Sequence, residues 1–224
     1  MAPRKERQIR LHNTPAEGDT HGLGKNSGIQ PGEPLQRFRE MLFDLSAQLM
    51  SVEPSRIGEE IEISLRQAGE FWDLDAIALT EASDDGRMRE VHTYRAPEAG
   101  PLPPVTVGPE VPWVADKMGS GAAVLLSRLP DDLPAGRDRQ YFAKHRIKSA
   151  LILPCGRDRP ESVVLSALSI GRERSWPPEL VKVFRHLGKI LTGALERKRV
   201  VERIEEMRQF EHLLSEVSAT YIMG

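Results

Sequence analysis

One thiol, Cys155, and six histidines are the side chains that chemistry would need first in this sequence. A lone cysteine could act as a nucleophile, but it cannot form an internal disulfide, a CxxC redox pair or a cysteine-rich zinc site. No base or second thiol stands beside Cys155 in sequence, so a thiol enzyme has no partner for it here. His92, His145 and His186 could each offer one axial nitrogen to a haem, yet each stands outside any pocket motif and reads as structural or surface. There is no GxxxxGK[ST] loop, no GxSxG elbow, no HExxH pair and no DFG or HRD set. The pattern points away from catalysis and toward binding or regulation, and it names no cofactor.

Composition sets the frame around that reading. The chain has 224 residues, 39% hydrophobic and 29% charged, which suits one soluble domain with appendages. Its net charge of −2 supplies no field that would favour nucleic acid or an anionic membrane. No apolar run approaches the roughly 20 residues needed to span a bilayer. Met1 to Gly18 is charged and broken by prolines, unlike a secretory leader. These features place the expected chain in the cytoplasm, without nucleic-acid or membrane partners.

The elements follow from periodicity. Residues 1–34 are rich in Gly and Pro and read as a disordered leader. Its basic tip of Arg4, Lys5, Arg7 and Arg10 is nearly balanced by Glu6, Glu17, Asp19 and Glu33. Leu35, Phe38, Leu42, Leu45 and Leu49 form a helical stripe. Pro54 stops it, and Ser55 can cap the next helix, striped by Ile57, Ile61, Leu65 and Ala68. Ala76–Glu81 and Arg89–Arg95 read as a hairpin turning at Asp84-Asp85-Gly86. Residues 97–112 read as a Pro-rich loop, and Pro112 opens a short helix through Met118. Ala122–Leu126 is a strand, Asp138–His145 a short helix, and Ser149–Pro154 and Ser162–Ile170 two more strands joined by a turn at Arg157–Glu161.

A last helix opens at Pro177-Pro178 with a wide stripe of Leu180, Phe184, Leu187 and Leu191. After Glu196 the stripe narrows to Val200, Ile204, Met207, Phe210 and Leu214, close to the 3.5-residue period of a coiled-coil seam. From Glu179 to Tyr221 such a helix is roughly 65 Å long at about 1.5 Å per residue, too long for a domain of this size to bury. Its free half needs a partner, and the simplest is the same helix of a second chain. The stretch Gln209–Ala219 also repeats Arg37–Ala47, with Phe, Leu, Ser and Ala unchanged and Phe38 and Phe210 separated by 172 residues. A period of that size is a domain, so residues 35–196 read as one whole module, and 197–224 as a coiled-coil linker resembling the opening of a second.

This order of elements resembles a GAF domain, of the type found in bacterial sensor histidine kinases and sigma-54-dependent regulators. The residues that carry the resemblance are Phe38–Ala47, Val111-Pro112-Trp113, Leu129–Pro134 and Ile147–Pro154. The strongest stretch runs from Ser175-Trp176-Pro177-Pro178-Glu179-Leu180-Val181 through Leu187-Gly188 to Ala194–Lys198. The turn at Arg157–Glu161 departs from the family, which usually has glycines there.

The resemblance implies an α+β fold, a GAF/PAS-like antiparallel sheet flanked by helices, with a long C-terminal signalling helix. It also implies a small-molecule pocket beneath the Pro-rich loop and short helices, where Trp113, Tyr141, Phe142 and His145 are the candidate lining residues; Trp113 and Phe142 could instead plug the space between loop and sheet. Specific family ligands find no support. Cys155 does not sit as a bilin-bearing cysteine would, and the Asn-Lys-Phe-Asp-Glu pattern of cyclic-nucleotide GAF domains is absent. The several cysteines of the methionine-sulfoxide-reductase branch are missing. His212 sits where a kinase phosphoacceptor would, but no Pro-Leu follows. The expectation is a non-catalytic sensory module that forms a homodimer. It would take an unidentified small-molecule ligand and act on a downstream kinase or ATPase output module, relaying a signal through Val200, Ile204, Met207, Phe210 and Leu214. The alternatives are a structural dimerisation domain without ligand and a fragment of a sensor histidine kinase.

Overall fold

The computed structural model describes residues 33–82, 88–99, 110–156 and 162–222, without the side chains of Glu90 and of 213–222. Residues 1–32 of the expected 1–34 leader, the Asp84-Asp85-Gly86 turn, most of the Pro-rich loop and the Arg157–Glu161 turn lie outside the described residues, while Glu33 and Pro34 already belong to the first helix. The elements are α1 (Glu33–Ser51), α2 (Ile57–Phe71), β1 (Ala76–Ala82), β2 (Met88–Arg95), α3 (Pro112–Gly119) and β3 (Val124–Leu126). Then come α4 (Arg137–Lys144), β4 (Ser149–Pro154), β5 (Val163–Ser169) and α5 (Pro178–Ile222). The expected α+β order holds throughout. The expected Ser55 cap does not: Pro54–Arg56 form a single 3-10 turn, and α2 starts after Arg56 with no side-chain cap. Proline at the head of that turn fixes φ and delays the α-helix by three residues.

The five strands form one antiparallel sheet in the order β2-β1-β5-β4-β3. Its central strands are buried on both faces, so successive residues feed two different cores. Ile77, Leu79, Leu151, Leu153, Leu165 and Ala167 point into the layer of α1, α2 and α5. Ala76, Ala150, Ile152, Val164 and Leu168 point the other way, beneath α3 and α4. This explains why β4 and β5 read as continuous apolar runs rather than alternating ones: every residue of both is buried.

The helical layer centres on an aromatic cluster. Phe38 of α1 stacks on Phe184 of α5 with centroids 5.9 Å apart, and Phe71 and Trp72 close on Phe38 at 5.2 and 5.3 Å. Twelve to fourteen residues further along both helices, Arg197 of α5 reaches the carbonyls of Met50 and Val52 at the end of α1. The two contacts keep nearly equal spacing in the same direction, so α1 and α5 run parallel and in step. The predicted stripes of α1, α2 and the first half of α5 are buried in this layer, except Leu35 at the start of α1, which is partly buried against it.

At one point α5 meets the sheet with no room to spare. A Cβ at Gly188 would lie 2.3 Å from Cys155 Sγ and 3.5 Å from Leu165 Cδ2. Gly188→Ala should therefore destabilise by about 1–2 kcal/mol, overpacking outweighing the ~1 kcal/mol gain in helix propensity. In a Cys155→Ala background the clash is removed, and the same substitution should turn neutral or stabilising by up to ~1 kcal/mol. Urea unfolding of the four chains in this cycle measures both effects.

Candidate functional site

Two regions carry the side chains singled out in the sequence: the α3–α4 side of the sheet and the segment where α5 leaves the domain.

On the α3–α4 side, a carboxylate ties the two short helices together. Asp138, at the start of α4, is 3% exposed, and its two oxygens accept hydrogen bonds from the backbone N–H groups of Trp113 and Val114 at 3.1 and 3.0 Å. These are donors of the first turn of α3, which have no partner within the helix. An anion there also suits the helix dipole. Asp132 works the same way one loop earlier, accepting from Ser127 and Arg128 N–H at 2.7 Å each. Trp176, buried with the helical layer, reaches the edge of this region, its Nε1 donating to the Leu126 carbonyl at 3.1 Å.

Trp113, Tyr141, Phe142 and His145 all lie on this side. Tyr141 packs edge-on to Phe142 at 5.6 Å and against His145 at 4.6 Å, while Trp113 is half-buried with Lys117 Nζ over its ring at 5.8 Å. Tyr141 and Phe142 are buried together with Val114, Met118, Leu133 and Ile147. Burial, with a smaller contribution from Glu110, pushes the Tyr141 phenol up to about 12, and its hydroxyl has no hydrogen-bond partner among the described residues. Burial also lowers the His145 pKa, with Lys144 adding to the effect. Two cavities bounded by described residues open elsewhere, and neither is lined by any of these four residues.

Three consecutive basic residues hold α5 where it leaves the domain. Arg197 donates to the carbonyls of Met50 and Val52, satisfying the open end of α1. Lys198 lies against Gly58 and His92, where a Cβ on Gly58 would stand 3.5 Å from its Nζ, and it pairs with Glu202 at 3.8 Å. Arg199 forms an ion pair with Glu81 of β1, whose carboxylate is nearly buried. Arg197 and Arg199 thus fasten α5 to α1 and β1 within one turn, with Lys198 packed beside α2 and β2. His92 of β2 completes this collar: it is buried, with Nδ1 3.3 Å from Glu62 Oε1 and Nε2 without a partner among the described residues. Burial depresses its pKa, Lys198 adds to that, and Glu62 works in the opposite direction.

Beyond the collar α5 continues as a helix to Ile222, and the apolar residues described there are open to solvent. Val200, Ile204, Met207 and Phe210 are all exposed, Phe210 at 63%. Leu214 lies on the same helix, its side chain outside the described ones. Sequence reasoning missed Phe43 and Met50 of α1, exposed at 78% and 76%. With Ala47 they are spaced at i, i+4 and i+7, a second apolar strip that the stronger buried stripe of α1 masked.

The comparisons with known proteins agree on the fold. No protein-family model matches the chain, and no curated protein matches its sequence. Among solved structures, the blue-light-absorbing form of the PixJ GAF domain of Thermosynechococcus elongatus superposes with a TM-score of 0.53 at 15% identity, covering 83% of this chain and 98% of that one. The photosensory core module of the Stigmatella aurantiaca phytochrome gives 0.63 at 12% identity over 83% of this chain, which spans 41% of that one. Free methionine-R-sulfoxide reductase of Neisseria meningitidis gives 0.58 at 16% identity, covering 81% and 99%.

Asp138→Ala should strand two buried N–H donors and cost about 1–3 kcal/mol by urea unfolding, with Asp138→Asn recovering part of the loss. His92 makes stability depend on pH. Below its ordinary value of 6.5 the unfolded chain takes up a proton that the folded chain resists, so the contribution is whole above 6.5 and falls as pH drops toward the depressed folded value. The fall in urea midpoint between about pH 7 and pH 5.5 should therefore be smaller in His92→Gln than in the wild type. At these percentages of identity the shared architecture is what the comparisons establish: this chain has the GAF fold.

Proposed function

We propose that this chain is a non-catalytic sensory or regulatory module that dimerises along α5 and relays a signal through it to an output module. The observation that carries the reading is the change of environment at the collar. Before Arg197 the apolar stripe of α5 is buried in the domain; after Arg199 the described part of the stripe, Val200, Ile204, Met207 and Phe210, is exposed. Burying exposed Val, Ile, Met and Phe side chains contributes about 1.5–3 kcal/mol each, enough for a short seam to hold two chains together. The partner proposed is a second copy, because Val200, Ile204, Met207, Phe210 and Leu214 form a self-complementary strip with balanced charges around it. Phe43 and Met50 extend the apolar surface onto α1.

A movement of α1, α2 or the β1–β2 edge reaches α5 through Arg197, Lys198 and Arg199, so the collar would turn a small shift in the domain into a shift of the seam. The output partner would be a kinase or ATPase module, the kind of partner that the sensor resemblance implies. One of the named neighbours is a blue-light-absorbing GAF domain, but the sole cysteine of this chain packs on the helical side of the sheet against Gly188, away from α3 and α4. Burial also holds that thiol up at about 11, which disfavours its use as a nucleophile. The dense packing of Tyr141 and Phe142 favours, as second reading, a dimerisation module that takes no ligand on that side.

Sedimentation at a series of concentrations tests the dimer. The wild type should be dimeric at high micromolar concentration, Ile204→Glu and Leu214→Glu should shift it to monomer, and Phe43→Glu should weaken it by a smaller factor. A wild-type monomer at high micromolar concentration would sink the reading.

A further inference from the structure

A groove of about 670 Å³ opens on the helical side of the sheet, between the end of β4 and the buried half of α5. Arg185, Lys189, Thr192 and Glu196 line it, spaced by 4, 3 and 4 residues and so on one face of α5. Cys155 and Gly121 line the opposite wall. The neighbouring face of the helix carries Phe184, Leu187 and Leu191 into the core, so this polar row is the boundary between core and solvent.

Three observations give the groove a chemical character. Arg185 and Lys189 make no ion pair among the described residues, and both act electrostatically on Cys155, which places their charges at the groove wall. Thr192 is 3% exposed, and its hydroxyl has no hydrogen-bond partner among the described residues. A threonine inside a helix ordinarily satisfies its hydroxyl on the carbonyl one turn back, so an unused one is costly unless something else meets it. Finally, Gly193 would meet nothing within 4 Å if it carried a Cβ, so the space beside Thr192 is open.

We propose that this groove binds a small molecule by an anionic head group, phosphate or carboxylate, held between Arg185 and Lys189 with the Thr192 hydroxyl as a hydrogen-bond partner. The row from Arg185 to Glu196 is eleven residues long, roughly 16 Å along the helix, a span that suits a small ligand. The site lies across the sheet from α3 and α4, and it requires neither the dimer nor the relay. Sedimentation reads those, and the experiment below does not.

The test is a titration of the intact chain with inorganic phosphate and, separately, with succinate, at constant ionic strength balanced by chloride. The readout is the backbone amide spectrum. Saturable shifts at Gly121, Cys155, Gly156, Thr192 and Gly193 are expected with at least one probe, and which probe saturates distinguishes phosphate from carboxylate. Arg185→Gln with Lys189→Gln should weaken that binding at least about tenfold, as loss of charge-assisted hydrogen bonds does. Thr192→Val should weaken it by a smaller factor while the remaining amides keep their wild-type positions. No saturable shift with either probe, or equal affinity in the double charge variant with its fold intact by circular dichroism, overturns the proposal.

Discussion

The stacking of Phe38 on Phe184 is the contact on which the rest of the helical layer depends. Both rings are fully buried, and they join the first helix of the domain to the last. Because α1 and α5 are parallel and in step, this one contact sets where every later residue of α5 meets the domain. It brings Gly188 opposite Cys155, Thr192 beside the groove, and Arg197 under the open carbonyls of Met50 and Val52. A slip of one residue on α5 would rotate it by about 100° and lose all of these together.

The sheet imposes a second constraint. With β4 and β5 buried on both faces, the domain must cover two sides, and it does so unequally. One side receives three substantial helices; the other receives two helices of eight residues each. Helices that short are marginal by themselves. They are held by acceptors supplied from elsewhere, Asp138 for α3 and Asp132 for the loop between β3 and α4. The buried Asp138 and the half-buried Asp132 are therefore framework, and Tyr141 and Phe142 are buried on the same side.

What the sequence made legible was whatever repeats at short range. The stripe of Phe38, Leu42, Leu45 and Leu49, the runs Ser149–Pro154 and Val163–Ser169, and the narrowing of the stripe after Glu196 all fall where periodicity places them, within a residue or two. What it hid depends on pairs far apart in the chain. Nothing near Asp138 marks it as the cap of a helix whose N–H groups lie 24 and 25 residues earlier, and nothing near Arg197 marks its partner carbonyls as lying 145 and 147 residues back. Phe43 and Met50 were hidden for another reason: on a helix with one strong apolar face, a weaker strip on another face is lost in the average. The groove along Arg185, Lys189 and Thr192 was hidden because each residue taken singly is an ordinary feature of an amphipathic helix. Only the open wall opposite them gives the row a meaning.

The collar has a physical logic that an apolar junction would lack. Two of its three basic residues are about half or less exposed and lean on groups that are themselves buried or committed: Glu81 at the end of β1 and the last carbonyls of α1. Contacts of this kind are strongly directional and cost a great deal when one partner is left unpaired, yet contribute little when both are rehydrated together. An apolar seal at the same place would be worth more and would tolerate sliding, since hydrophobic contact is non-directional. The polar collar therefore fixes the register and rotation of α5 while adding little to total stability. For the proposed relay that is the useful combination. A rearrangement that exchanges one complete set of polar contacts for another costs little overall, while partial displacement is penalised, so the helix would be held in discrete positions rather than drifting between them.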